Sequence, residues 1–91
     1  MKQSIDELLA RYPQWIVSGE TLVGNWQFGD FKELRAVVVQ VCDLAEKLNH
    51  HPMVTYGYNT LQIETTTHDA GNAITQKDVD LALRVSEVVG E

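Results

Sequence analysis

The sequence predicts an α+β fold: two layers, with a four-stranded antiparallel sheet and three helices on one face, in the order α-β-β-α-β-β-α. Three observations carry this reading. Apolar residues recur at three- and four-residue steps from Phe31 to Leu48, the mark of a long helix. A pair of short strand-like segments with a turn between them lies on each side of that helix. Ser4 with Glu7, and Thr75 with Asp78, open two further helical patterns with capping-box spacing. Hairpin, helix, hairpin is an order that builds an antiparallel sheet with helices gathered on one side. The other face is then left to solvent or ligand.

The elements follow in chain order. After Ser4, the residues Ile5, Leu8 and Leu9 give a short helix ending at Arg11, and Tyr12-Pro13 stops it. Trp15-Ile16-Val17 is a strand, Ser18-Gly19-Glu20 a turn, and Thr21 to Phe28 the second strand, with Leu22, Trp26 and Phe28 on one face. Gly24 interrupts that strand and is expected to mark a bulge. Asp30 caps the long helix of residues 31–48, with Glu33 as its box partner. Phe31, Leu34, Val38, Val41, Ala45 and Leu48 form its stripe; Val37, Val39, Cys42 and Leu44 widen it. A stripe that wide points to contact on more than one side, including another subunit. Asn49 and Pro52 end the helix.

The second hairpin is expected over residues 53–59 and 60–67. Val54, Tyr56 and Tyr58 alternate on one face, Leu61 and Ile63 alternate on the partner strand, and the turn lies near Tyr58-Asn59. Asp69-Ala70-Gly71-Asn72 has loop chemistry. Thr75 opens the final helix, with Val79, Ala82, Val85 and Val89 as its stripe.

At 91 residues the chain reads as one domain, residues 1–91. A chain of this size buries roughly 60–65% of its unfolded surface, so oligomerisation would help its core. The net charge of −6 and seven scattered basic residues argue against direct nucleic-acid binding and against anionic membrane surfaces. The longest unbroken apolar run is Ala36–Val39, far too short to span a membrane. The segment Met1–Glu7 carries acids early and does not read as a secretory signal. Cys42 is the only cysteine, which fits a reducing, cytoplasmic setting.

The candidate chemistry lies with the histidines. All three, His50, His51 and His68, fall within one 19-residue window. Imidazole moves protons near neutral pH. Two or three imidazoles around one substrate can protonate a leaving group and take a proton elsewhere on the same molecule. Glu46 lies four residues before His50, so a continuing helix would put both on one side. Asp78 could close the site from the last helix, and Tyr58 could stack a flat substrate. Taken singly, each has a plainer reading: His50 a favourable cation at a helix C-terminus, Glu46 a solvated helix residue, Tyr58 a sheet residue, Asp78 a helix cap. Three histidines and a carboxylate also make a zinc-like inventory. Adjacent histidines at a helix end do not aim readily at one ion, so no metal is expected.

The run Glu46-x-x-x-His50-His51-Pro52, then Tyr58, then His68, then Asp78 resembles the signature of the pterin-4a-carbinolamine dehydratases. Trp26-x-Phe28-x-Asp30-Phe31, Ala45-Glu46-Lys47-Leu48 and Thr67-His68-Asp69-Ala70-Gly71 extend the resemblance over Leu8 to Val89. It implies the same α+β fold, dimers that join sheet edges, and tetramers that pack the long helices. The implied reaction is loss of water from 4a-hydroxytetrahydropterin to give quinonoid dihydropterin, which recycles tetrahydrobiopterin for aromatic amino-acid hydroxylases and needs no metal or organic cofactor. His50 and His68 would be the acid/base pair, and His51 would complete the catalytic set by orienting the pterin. Glu46 and the backbone at Thr67-His68 would hold the polar edge of the ring, and Asp78 would orient a histidine. Two departures stand out. Val54 occupies a place where an aromatic residue is usual, so a stacking surface is lost there or moves to Tyr56 or Tyr58. The loop after His68 is one residue longer, with Asn72 at a usual glycine position. Other roles compatible with the resemblance are a non-catalytic dimerisation module for a transcription factor and action on another pterin.

Overall fold

The computed structural model describes residues 4–90, so the N-terminal reading of Met1–Glu7 falls partly outside the described residues. Its elements are α1 (Ile5–Arg11), β1 (Trp15–Ser18), β2 (Thr21–Gln27), α2 (Phe31–Leu48), β3 (Met53–Gly57), β4 (Thr60–Thr65), a 3-10 turn (His68–Ala70) and α3 (Gln76–Val89). This is the order read from the sequence. The four strands form one antiparallel sheet in the order β1-β2-β4-β3. Each hairpin supplies an edge strand and a central strand.

The register decides which side chains meet the helices. Trp15 pairs with Gly24 and Gly24 with Ile63; Trp26 pairs with Leu61; Leu22 pairs with Thr65. Directly paired residues share a face. Trp15, Leu22, Trp26, Leu61 and Ile63 therefore join Leu8, Leu34, Val41, Leu81 and Val85 in one core under the three helices. The opposite face carries Asn25 and Gln62, which share a hydrogen bond of 3.2 Å from Gln62 Nε2 to Asn25 Oδ1.

The caps match their sequence signals. Ser4 and Glu7 form a reciprocal box, with Glu7 N–H donating to Ser4 Oγ at 3.2 Å and Ser4 N–H donating to Glu7 Oε1 at 2.9 Å. Asp30 Oδ1 accepts from Glu33 N–H at 2.9 Å, but Glu33 reaches back to Gly29 N–H rather than to its cap. At the far end of α2, Asn49 is left-handed (φ 54°). Asn49 N–H bonds Glu46 O, and His50 N–H bonds Ala45 O. This is a Schellman turn, and it ends the helical phase before His50.

Several local expectations change. Gly24 makes no bulge, because the β2–β4 ladder runs unbroken from Leu22–Thr65 to Gln27–Thr60. A Cβ at Gly24 would lie 2.5 Å from Trp26 and 2.9 Å from Trp15. The glycine makes room for the two indoles, which meet edge-on at 5.2 Å. Trp15 Nε1–H then donates to Ser86 Oγ on α3 at 2.8 Å, tying β1 to the last helix. β2, β3 and β4 are shorter than read, and β1 is one residue longer, reaching Ser18. Tyr58 belongs to the turn, with φ 54°, so it does not continue the Val54–Tyr56 alternation. Phe31 and Val39 of α2 remain half-exposed, so the wide stripe is only partly covered within one chain.

Candidate active site

The site forms where three chain segments meet: the end of α2, the end of β4 and the start of α3. The Schellman turn swings the chain out of α2 and sends His50 toward α3. There His50 Nε2 meets Asp78 Oδ1 at 2.7 Å. The helical projection that paired Glu46 with His50 does not hold. Glu46 Oε2 contacts His51 Nε2 instead, also at 2.7 Å.

Asp78 is fully buried, and each of its oxygens has two partners. Oδ1 accepts from His50 Nε2 at 2.7 Å and from Thr65 Oγ1 at 2.6 Å. Oδ2 accepts from Thr67 Oγ1 at 2.6 Å and from Thr75 N–H at 2.9 Å. Burial pushes the carboxyl up, but the bonds from His50, Thr65, Thr67 and Thr75 outweigh it and hold the group below its usual value of 3.8. Asp78 is therefore a carboxylate near neutral pH. A carboxylate only accepts, so His50 donates from Nε2 and its Nδ1 carries the lone pair when neutral. Nδ1 has no partner among the described residues and is not sealed from solvent.

His68 is set by the loop that follows β4. Thr67 and Ala73 pair in both directions, at 2.9 and 3.3 Å, and close the loop at its base. Within it the expected irregular segment begins as a 3-10 turn, and both Gly71 (φ 72°) and Asn72 (φ 61°) are left-handed. Asparagine is one of the few non-glycine residues that adopts this conformation readily. Asn72 thus keeps the backbone shape of a glycine and adds a contact: its Oδ1 lies 2.7 Å from His68 Nδ1. With the amide oxygen accepting, His68 Nε2 is the free ring nitrogen.

All three histidines line one cleft of about 240 Å³, with Asn49, Thr66, Thr67, Asp69 and Lys77. His51 and His68 continue into an adjoining hollow of about 220 Å³ beside Thr21, Met53 and Glu64. On the other side of His51 an apolar recess of about 230 Å³ is walled by Val41, Cys42, Ala45, Pro52 and Val54. A larger hollow, about 660 Å³, lies at the opposite end of the sheet and has no histidine or carboxylate in its lining.

Of the residues singled out by sequence, His50, His51, His68 and Thr67 meet at the cleft. Asp78 stands behind His50 and is closed to solvent, so it reaches a substrate only through that ring. Thr67 uses its hydroxyl inward, on Asp78 and Thr75, and its carbonyl accepts from Ala70, Asn72 and Ala73 N–H. Glu46 sits at the rim, 80% exposed, bonded to His51. Tyr58 is not brought to the cleft within the chain. It is 90% exposed in the β3–β4 turn, at the end of the hairpin remote from His51. Tyr56 lines the distant hollow. Sequence reasoning missed Thr65 and Lys77, and it singled out Asn72 for its place in the loop without showing its contact with His68. Thr65 stands two residues after Ile63 on the buried face of β4, a spacing the sequence shows, but the carboxylate it bonds comes from α3. Among the described residues no three His, Cys, Asp or Glu side chains are grouped to hold a metal ion, and no helix is long and apolar enough to cross a membrane.

Fold and cleft together define a small α+β protein with a histidine-lined site suited to proton transfer on a small molecule. Comparison with known proteins gives this class a family. The family model described as pterin 4 alpha carbinolamine dehydratase matches residues 1–88, and the chain belongs to that family. A relative from Streptomyces coelicolor is 38% identical over 86 residues, 94% of this chain and 85% of its own length. One from Thermomicrobium roseum is 40% identical over 85 residues, 93% and 90% of the two chains. Their names place both provisionally among the pterin-4-alpha-carbinolamine dehydratases. Among solved structures, a transcriptional coactivator/pterin dehydratase from Brucella melitensis superposes with a TM-score of 0.83 at 27% identity, over 99% of this chain and 100% of that one. A pterin dehydratase-like protein identified as a RuBisCO assembly factor of the alpha-carboxysome shares the fold, with a TM-score of 0.71 at 19% identity over 85% and 88% of the two chains.

Proposed function

We propose that this chain dehydrates 4a-hydroxytetrahydropterin to quinonoid dihydropterin by histidine acid/base catalysis. The observation that carries the reading is the single cleft lined by all three histidines, in which His50 and His68 each keep one ring nitrogen free. Family membership supplies the substrate class.

The reaction breaks the C4a–O bond and the N5–H bond and forms a C4a=N5 double bond. One imidazolium gives its proton to the departing hydroxyl, which leaves as water. One neutral imidazole takes the N5 proton. Proton exchange with solvent resets both, so no oxidant or cofactor enters the balance. His50 and His68 fill these two roles, each contributing about 10²–10⁴-fold. Asp78 holds the His50 ring at a fixed nitrogen. His51, braced by Glu46, orients the pterin at the rim, beside the Thr67-His68 segment that lines the cleft. With Val54 in place of an aromatic, the pterin ring packs against the small apolar recess beside Pro52. The product is a quinonoid dihydropterin, the form whose reduction restores tetrahydropterin for aromatic amino-acid hydroxylases in the cytoplasm.

The half-exposed Phe31 and Val39 of α2 and the free edge of β3 support a homodimer or homotetramer. The same surfaces support the competing reading, a non-catalytic interaction module. Kinetics separates the two. Synthetic 4a-hydroxytetrahydropterin is expected to dehydrate faster with the protein than in buffer, and a rate equal to the spontaneous one rules out the dehydratase reading.

A further inference from the structure

The feature that the proposed chemistry leaves unexplained is Thr65. It is the last residue of β4, 2% exposed, and its hydroxyl stands in a row otherwise made of Leu61 and Ile63. A hydroxyl there is costly unless it is bonded. It donates to Asp78 Oδ1 at 2.6 Å, the same oxygen that accepts from His50.

Thr67 has one hydroxyl proton and gives it to Asp78 Oδ2. The 2.7 Å contact between Thr67 Oγ1 and Thr75 Oγ1 therefore uses the Thr75 proton. Thr75 Oγ1 in turn accepts from Lys77 N–H at 3.3 Å. Every hydroxyl proton in the cluster runs toward Asp78, and none is left over for His50 to accept. Oδ2 is occupied by Thr67 and the backbone of Thr75, both fixed by the closed loop and the helix cap. Oδ1 is shared by only two groups, Thr65 and His50.

We propose that Thr65 is a positioning residue: its hydroxyl donates to Asp78 Oδ1 and holds that oxygen where it accepts from His50 Nε2, which leaves Nδ1 as the proton-transfer atom. Without that hydroxyl, Oδ1 keeps an empty acceptor position in a site closed to water. The carboxylate is then free to rotate away from Nε2. Once the carboxylate leaves Nε2 the ring is no longer held to one tautomer, and in part of the population Nδ1 carries the hydrogen and cannot accept one. The catalytic half of this inference rests on the proposed dehydratase reading; the tautomer half does not.

The test uses the full chain labelled with ¹⁵N in its histidine rings. Ring nitrogen–proton correlation spectra at about pH 9, where imidazoles are ordinarily neutral, report which nitrogen carries hydrogen. In the wild type His50 is expected to be protonated at Nε2. Thr65→Val is expected to mix the two tautomers while the backbone amide spectrum stays folded, and Thr65→Ser is expected to restore the single one. Should Thr65→Val not fold, Thr65→Ala serves with the same two outcomes. In the dehydration assay the hydroxyl-free variant is expected to lose about tenfold in kcat with KM within about twofold, and Thr65→Ser to recover most of the loss. A wild-type His50 protonated at Nδ1, or a hydroxyl-free variant with the wild-type tautomer, overturns the proposal. So does a changed tautomer with kcat unchanged in an active enzyme. A wild type with no dehydratase activity but a tautomer that follows Thr65 removes the functional reading and leaves the positioning contact standing.

Discussion

Adjacent histidines in this chain each meet a carboxylate at 2.7 Å, and the two contacts have little else in common. His50 and Asp78 are 13% and 0% exposed and come from elements 28 residues apart. His51 and Glu46 are 56% and 80% exposed and only five residues apart. Water competes for the second pair, and two flexible side chains must be held to keep it. Such pairs contribute about 0.2–1 kcal/mol. In the first pair the carboxylate has no water to fall back on, and three further hydrogen bonds fill its remaining lone pairs. Removing one partner of a pair like that costs about 3–5 kcal/mol. Distance does not distinguish the two contacts; the fate of the groups left behind does. The buried pair fixes a ring, whereas the exposed pair leaves its ring adjustable. This division suits proton transfer by His50 and substrate holding by His51.

Variants can break this comparison or sharpen it. The largest effect is expected on catalysis: His68→Ala and His50→Gln should each lower kcat by about 10²-fold or more, read from the dehydration rate. Asp78→Asn comes next. Its amide sets N–H groups against hydroxyls that already donate, so stability should fall by about 3 kcal/mol in urea unfolding. Acid should reveal the same group. The folded Asp78 carboxyl lies below 3.8, its ordinary value, so the unfolded chain binds the extra proton. Its contribution is complete above the unfolded value and is lost as pH falls through that value toward the folded one. The wild type should therefore lose stability more steeply than Asp78→Asn below about pH 5. Asn72→Gly keeps the left-handed backbone and removes only the His68 contact, so kcat should fall modestly with stability nearly unchanged. Glu46→Gln should be smallest, within about 1 kcal/mol in stability, with any kinetic effect in KM.

The sequence carried much of this. The caps at Ser4, Asp30 and Thr75 and the α2 stripe are local signals, and local signals set element type. The convergence of three histidines followed from the element order, because a helix end and a strand end in a four-stranded sheet can be neighbours. What was not legible depended on phase and on long-range packing. Glu46 was paired with His50 because helical spacing was carried one turn too far; the left-handed Asn49 resets the direction and gives His51 to Glu46 instead. Alternation placed Tyr58 on a strand face but could not show that the strand ends at Gly57. Gly24 read as a bulge because the indoles it accommodates, on β1 and further along β2, are identified only by the register. Thr65 falls within the expected strand of residues 60–67, and nothing local reveals that a carboxylate from α3 will arrive beside it.

The most direct test of the division between the two pairs is the dehydration rate of synthetic 4a-hydroxytetrahydropterin with the wild type, Asp78→Asn and Glu46→Gln. The expected result is clear acceleration by the wild type, a kcat reduced at least tenfold by Asp78→Asn, and a kcat held within about twofold by Glu46→Gln. No acceleration by the wild type, or a kcat that depends on Glu46 and not on Asp78, would contradict it.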